Sequence, residues 1–250
     1  MMDNHAWIAE TGKPLPWRNQ VPLKDIHALA DVALFNGLNP KQRDRLNEHL
    51  YGRIYPAGTN IITADQPGEV VYMILSGAVK IYIDQADGTR VILALLGPGD
   101  VVGEMSLVDS AGRSANVITI EDSHLLWMER RAFQRCLETI PEMSTNLVQL
   151  LARRVRLANE QIQALASLDV YGRVARQFLA FAEKYGETQA AGEIRIPIRL
   201  TQSDLAELVG ASRKRVNQVM VNFKRNDYIA VDTEGYITVR NRKALTQLCG

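Results

Sequence analysis

Residues 147–168 read LVQLLARRVRLANEQIQALASL. Apolar or small side chains recur at Leu147, Leu151, Val155, Ala158, Ile162 and Leu165, in steps of 4, 4, 3, 4 and 3. That pattern is one stripe on a helix, narrow enough to suit a seam against a partner helix rather than a broad core face. Arg153, Arg154, Arg156, Glu160 and Gln161 occupy the other faces. Pro141 falls where a first helical turn tolerates a missing donor, and no Pro or Gly interrupts before Gly172. The spacing predicts a helix over 141–168, about 40 Å long at about 1.5 Å per residue. It would connect two unlike parts of the chain and also make a dimer.

Upstream, residues 1–25 show neither helical nor strand period and read as a poorly ordered arm. Residues 26–38 predict a short helix. Asn39-Pro40 is a cap followed by a first-turn proline, opening a second helix to about Leu50. From Tyr51 to Glu129 come short β-rich runs: RIYPAG, NIITA, VVYMILS, AVKIYI, RVILALL, ANVITI and SHLLWME. Gly- and Pro-containing turns separate them, and Asp87-Gly88 is a strong hairpin turn. Seven or eight strands at roughly ten-residue spacing predict a sandwich or barrel. Residues 131–140 read as a short helix before the long one.

Downstream, Asp169 is placed to cap a helix over 170–184, and a strand-like EIRIPIRL follows. Thr201 and Asp204 form a capping-box-like start to a helix ending at Val209. Gly210-Ala211 makes a turn, and Ser212 caps a helix to about Asn226. YIAVDTEGYITVR reads as two strands around Gly235. Helix, short Gly-containing turn, helix and hairpin make the winged helix-turn-helix pattern.

The chain has 250 residues, a length for one or two domains with ample material for cores. Its 46% hydrophobic and 23% charged content is ordinary for a soluble protein. Apolar runs such as VVYMIL are far too short to span a bilayer, and no signal sequence opens the chain. Cys136 and Cys249 are the only cysteines and belong to no cluster. A disulfide framework, zinc ribbon or iron–sulfur site is therefore not expected, no metal is expected, and a cytoplasmic setting fits best. The formal charge of +1 hides a split. Residues 1–169 carry 16 Lys/Arg against 20 Asp/Glu, and residues 170–250 carry 13 against 8. A basic final third on a nearly neutral chain points to a nucleic-acid partner for that part alone.

Two constellations carry chemistry. Gly97-Pro-Gly-Asp-Val-Val-Gly-Glu-Met-Ser-Leu107 is followed by Gly112-Arg-Ser-Ala115. A Gly-rich loop brings N–H groups to a phosphate, an arginine fork neutralises it, and a carboxylate accepts from a ribose hydroxyl. These residues form a nucleotide pocket without a catalytic base, although glycines at strand turns also serve structure alone. The second is Ser212-Arg213-Lys214-Arg215-Val216-Asn217-Gln218. On a helix Val216, Met220 and Phe223 face inward, while Arg213, Lys214, Asn217 and Gln218 face outward with side chains able to read base edges in a major groove. Lys224 and Arg225 are placed to meet phosphate. His5, His27, His49 and His124 are scattered without metal or catalytic spacing. Asp100, Glu104 and Asp109 are assigned structural or ligand-holding roles, and Met73 a core role.

VVYMILSGAVKIY, GDVVGEMSLVDSAGRSANV, the long helix, LDVYGRVA and LTQSDLAELVGASRKRVNQVM together resemble the cyclic-AMP receptor/FNR superfamily of bacterial regulators. The resemblance covers about Val32 to Val239. That family's phosphate-binding cassette, G-E-(L)-x-L then R-(S/T)-A, stands as Gly103-Glu104-Met105-Ser106-Leu107 and Arg113-Ser114-Ala115. The resemblance implies an α+β chain divided at 26–140, 141–168 and 169–250. These would be an N-terminal jelly-roll-like β-roll domain, a long dimerisation helix and a C-terminal winged helix-turn-helix domain. It implies that Arg113 and the loop amides hold a cyclic phosphate, that Ser114 adds a hydroxyl, and that Glu104 takes the ribose 2′-OH with Arg154 reaching it from the long helix. The adjacent Thr and Ser that meet adenine in cyclic-AMP receptors are here Ala158-Asn159. Ala158 offers no hydroxyl, whereas Asn159 offers an amide donor and a carbonyl acceptor. Cyclic AMP is expected first, with cyclic GMP and cyclic di-GMP as competitors, and Arg156 is available to a second phosphate or a base.

The same resemblance implies a homodimeric transcription regulator, not an enzyme, with a roughly palindromic double-stranded DNA site and RNA polymerase as partners. Family members that read TGTGA-type half-sites carry Arg-Glu-x-x-x-Arg on the reading helix. Here Arg213 matches, but Lys214 and Gln218 replace the Glu and the second Arg, so a different half-site is expected. A ligand-independent regulator and a nucleotide-sensing subunit acting on a protein partner are the alternatives.

Overall fold

The computed structural model describes residues 29, 32–109, 111–189 and 192–250. The expected N-terminal arm lies outside them. Of the helix expected over 26–38, the described part holds a 3-10 turn, Ala33–Phe35, closed by Gly37 at φ 75°. Helix α1 (Pro40–Asn47) opens with a full capping box between Asn39 and Gln42 and stops short of the expected Leu50.

Strands β1 (Tyr51–Tyr55), β2 (Asn60–Ile62), β3 (Val70–Ser76), β4 (Val79–Asp84), β5 (Arg90–Leu96), β7 (Asn116–Thr119) and β8 (Ser123–Glu129) are the seven expected runs. The two-residue β6 (Val101–Val102) joins them by pairing with β3. They form two four-stranded antiparallel sheets, ordered β1-β8-β3-β6 and β2-β7-β4-β5. Alternation along the strands decides the layers. Ile74, Val79, Leu96, Val102, Val117 and Leu125 meet between the sheets. On β3, Val71 and Met73 point the other way, against Phe133, Met143 and Leu147 of α3 (Arg130–Thr139) and α4 (Pro141–Ser167). The four-residue helix α2 (Met105–Val108), in a stretch that reads as a loop by sequence, sits beside α3.

The outer face of the second sheet is covered by the C-terminal third. Ala78, Tyr82, Ile92 and Leu95 share one core with Phe178 of α5 (Val170–Tyr185), Leu205 of α6 (Gln202–Val209) and Phe223 of α7 (Arg213–Arg225). This third adds a four-stranded sheet from β9 (Glu187–Thr188), β10 (Ile194–Ile196), β11 (Ile229–Val231) and β12 (Ile237–Val239), and ends in α8 (Arg242–Gln247). The run EIRIPIRL yields only three paired residues, because Pro197 has no N–H for the ladder. Gly210 holds the left-handed turn between α6 and α7 at φ 61°.

Two polar clusters fasten this third to the sandwich. Lys80 Nζ lies 2.8 Å from Asp204 Oδ1, both largely buried. Burial works against the charge on Asp204, but hydrogen bonds from Lys80 and Thr201 outweigh it and hold the carboxyl below its ordinary range. The Tyr185 hydroxyl donates to Asp100, and Lys184 Nζ donates to the same carboxylate at 2.8 and 2.9 Å. Burial first, and then the charge of Asp100, push the Tyr185 hydroxyl far above the phenol range, with Arg154 opposing. The covalent joint is slender: α4 ends at Ser167, Leu168 is extended, and the Asp169 side chain caps α5 by accepting from Gly172 N. The Asp169 cap falls where the sequence placed it.

Phe178 is fully buried and meets Phe223 edge-on at 6.5 Å. Phe178→Ala is therefore expected to cost about 3–5 kcal/mol in denaturant unfolding followed by fluorescence and circular dichroism.

Candidate functional site

Gly103 begins the cassette at φ 86°, a conformation that L side chains rarely adopt. A Cβ there would lie 2.6 Å from Arg113 Nη1 and 2.9 Å from Ile62 Cδ1. The missing side chain thus lets the chain turn tightly over the guanidinium. Arg113, on the segment leading into β7, is buried, and its Nη1 donates to Gly103 O at 2.7 Å and Ser106 Oγ at 2.9 Å while Nη2 donates to Val70 O. Burial lowers its pKa most, with Tyr72 and Glu104 acting in the opposite direction. A guanidinium has five N–H donors, so after these three bonds Nε–H and one Nη2–H remain available to an anion.

Glu104 is only 1% exposed, and Arg154 reaches it from α4, as expected. Arg154 Nη1 donates to Glu104 Oε1 and Nη2 to Val101 O, so one side chain ties the long helix to both the cassette and β6. Glu104 Oε2 is also buried, yet it has no hydrogen-bond partner among the described residues. Buried carboxylate oxygens are costly when left unpaired. One such atom, on a carboxylate close enough to Arg113 to act on its charge, suits a ligand hydroxyl as its donor.

The remaining candidate residues divide. Ser106 and Ala115 are buried within the cassette, whereas Met105 and Ser114 are exposed. Asn159 and Arg156 are exposed on α4. Ala158 lies four residues beyond Arg154 and stays on its side of the helix. Asn159, five residues on, is turned roughly 140° away at about 100° per residue. This chain therefore does not bring Asn159 to its own cassette. Sequence reading missed Arg130 and Gln134 of α3. Arg130 donates to Gly68 O and Ser106 O, both at 2.7 Å, and Gln134 Nε2 donates to Leu107 O at 3.1 Å, gripping the carbonyl end of α2. No motif marks them, since they act on backbone carbonyls that only the fold brings near.

On α7, Val216, Val219, Met220 and Phe223 are buried, and Ser212, Arg213, Lys214, Arg215, Asn217 and Gln218 are exposed. Four of these already have partners, Ser212 by accepting from Arg215 N at 3.3 Å. Asn217 accepts from Gln202 at 3.0 Å, and Arg215 lies over Tyr171 while donating to Gln218 at 3.2 Å. The N-terminal half of the helix is thus a partly ordered polar surface. Among the described residues no helix is long and apolar enough to cross a membrane.

The cyclic nucleotide-binding domain family matches residues 52–140, and the Crp-like helix-turn-helix domain family matches residues 172–248. The CRP-like cAMP-activated global transcriptional regulator of Mycobacterium tuberculosis is 36% identical over 204 residues, 82% of this chain and 91% of that one. The cyclic AMP receptor protein of Thermus thermophilus is 34% identical over 187 residues, 75% of this chain and 83% of that one. The solved structure of FixK2 from Bradyrhizobium japonicum matches with a TM-score of 0.71, 23% identity and 80% and 98% coverage, a likeness of fold.

Removing Arg154 would leave Glu104 as an uncompensated buried charge. Arg154→Met is expected to destabilise the protein by about 3 kcal/mol in urea unfolding, and adding Glu104→Gln to recover most of that loss.

Proposed function

The chain belongs to the CRP/FNR family of transcription regulators, and from that premise we propose that it is a dimeric regulator whose DNA binding is controlled by cyclic AMP. Family members are transcription regulators and not enzymes, which agrees with a pocket lacking a catalytic base. The observation that carries the ligand assignment is the unpartnered Glu104 Oε2 beside Arg113. A cyclic nucleotide offers both complements: an anionic phosphate for the two remaining Arg113 donors and a ribose hydroxyl for Glu104. Ser114, exposed at the rim, is placed to add its hydroxyl to the phosphate. Both named relatives are cAMP receptors, which favours cyclic AMP over cyclic GMP and cyclic di-GMP.

The dimer reading rests on α4. Leu147 is buried in its own domain, so the stripe does not begin there as the sequence suggested. Val148, Val155 and Ile162 are 66%, 60% and 65% exposed and stand seven residues apart. Leu151, Ala158 and Leu165 fall three residues after each. This is a heptad seam with β-branched residues at one core position and mainly leucine at the other, the combination that favours parallel pairs. Parallel pairing would turn the Asn159 of each helix toward the partner's cassette. It would also present two copies of α7 to half-sites about one DNA turn apart. Arg213, Lys214, Asn217 and Gln218 are the assigned base readers, with Ser212 and Arg215 at the backbone. The corresponding units are residues 26–140, 141–168 and 169–250, with RNA polymerase as a further partner.

Isothermal titration of the wild type with cyclic AMP, cyclic GMP and cyclic di-GMP tests the ligand. Heat with cyclic AMP that disappears in Arg113→Ala is expected, and negligible heat with all three would sink the assignment. For the seam, Ile162→Glu should convert the dimer to a monomer of 27.9 kDa in light scattering. A dimer that survives this change would place the interface elsewhere.

A further inference from the structure

The Asp100 cluster is not used by the pocket or by the reading helix, yet it lies between them. Asp100 sits on a rigid turn: its N–H donates to Gly97 O at 3.1 Å, its carbonyl accepts from Ile74 N at 2.9 Å, and its carboxylate accepts from Gly97 N at 3.1 Å. The next residue is Val101, whose carbonyl accepts from Arg154, and Arg154 also holds Glu104 of the cassette. From the other side Tyr185 and Lys184, at the C-terminal end of α5, grip the Asp100 carboxylate, which is 15% exposed. Polar contacts from Glu104 through Arg154 to Val101, the peptide bond from Val101 to Asp100, and the Asp100 carboxylate's bonds to Tyr185 and Lys184 thus link the cassette to α5. Lys80–Asp204 fastens the same two bodies about the first helix of the reading pair.

We propose that Asp100, with Tyr185 and Lys184, is the intrachain relay that couples the ligand pocket to the orientation of the winged helix. The proposal rests on the nucleotide reading of the Glu104 cassette. Asp100, Tyr185 and Lys184 are positioning residues, since none touches ligand or DNA. The physical need for such a relay follows from the joint. Only Leu168 and Asp169, both extended, lie between α4 and α5, so the backbone alone would let the head swivel. Two heads that must meet half-sites at fixed spacing bind best when their orientation is already set. In the docked arrangement Arg213, Lys214, Asn217 and Gln218 remain exposed, so docking leaves the reading surface free. Arg154 already joins Glu104 to Val101 here, and a ribose hydroxyl on the unpartnered Glu104 Oε2 would stabilise that arrangement and, through the Asp100 turn, the docked α5. By reciprocity, whatever the relay adds to DNA affinity when nucleotide binds, DNA returns to nucleotide affinity.

The test compares the wild type with Tyr185→Phe, the double variant Tyr185→Phe/Lys184→Met and Asp100→Asn. DNA affinity with and without cyclic AMP is read by fluorescence anisotropy on an operator selected with the wild type. Cyclic AMP affinity is read by titration, and thermolysin cleavage at the joint over 167–170 is read by mass spectrometry. Loss of a hydrogen bond to a charged group predicts that the gain in DNA affinity on adding cyclic AMP falls about tenfold in the double variant. Joint cleavage should accelerate by a similar factor without ligand, while Lys214→Ala, on the exposed reading face, leaves cleavage unchanged. A purely structural role would lower the melting temperature but spare the nucleotide-dependent gain, and that result overturns the relay. Unchanged cleavage in all three variants overturns it as well. If the wild type binds no cyclic AMP, the nucleotide reading fails, and the cleavage arm still decides whether Asp100 clamps the head.

Discussion

The Glu104–Arg154 pair is the constraint on which the rest of the molecule depends. A carboxylate as buried as Glu104 needs a close cation, because desolvating an unpaired charge costs several kcal/mol. The cation comes from the long helix, so moving α4 away from the cassette would leave that carboxylate unpaired. The same guanidinium also satisfies Val101 O, which belongs to β6 and leads directly into the cassette. One side chain thereby fixes the register of a 27-residue helix against the sheet that carries the pocket. Everything mounted on α4, including its exposed seam and the joint to α5, inherits that register.

A layered architecture gives this pair its reach. Helices cover one face of the first sheet, the two sheets enclose a second core, and the C-terminal third covers the outer face of the second sheet. The third core is not confined to the DNA-reading unit, since Ala78, Tyr82, Ile92 and Leu95 belong to the sandwich. Packing through shared apolar residues transmits displacement more rigidly than a linker would, because close-packed interiors yield little volume. The polar contacts at Asp100 and Asp204 add direction to that rigidity. A charged hydrogen bond is made or lost over a few tenths of an ångström, whereas apolar contact changes gradually.

Much of this was legible in the sequence, and what was not has a common cause. Alternation and turn residues placed seven of the eight sandwich strands, and capping residues placed the starts of α5, α6 and α7, because those signals are local. The two-residue β6 and β9 and the four-residue α2 escaped, since elements so short carry no periodicity. Leu147 was misjudged for a similar reason. Period alone cannot tell which of two neighbouring apolar stripes packs at home and which faces outward, and here Leu147 goes inward while Val148 goes out. At the site, the cassette motif marked Gly103, Glu104 and Arg113, and the family resemblance added Arg154, which meets Glu104. Arg130 and Gln134 were invisible because their partners are backbone carbonyls of another segment. Asp100 was assigned a structural or ligand-holding role, and its tie to Tyr185 spans 85 residues, beyond any local pattern.

The turn from Ala158 to Asn159 carries the last step. Within one chain, the cassette supplies donors for an anion and an acceptor for a sugar hydroxyl, but little to distinguish one base from another. Ala158, on the cassette's side of α4, has only a methyl to offer there. Asn159, whose amide could read a base edge, points away around the helix. Its side chain meets a base only if a second α4 brings it, along the heptad seam of Val148, Val155 and Ile162. Affinity for the sugar–phosphate would then be a property of the single chain, whereas discrimination among bases would be a property of the pair. The sequence position that departs from the cyclic-AMP receptor pattern is therefore also the one whose chemistry depends most on assembly.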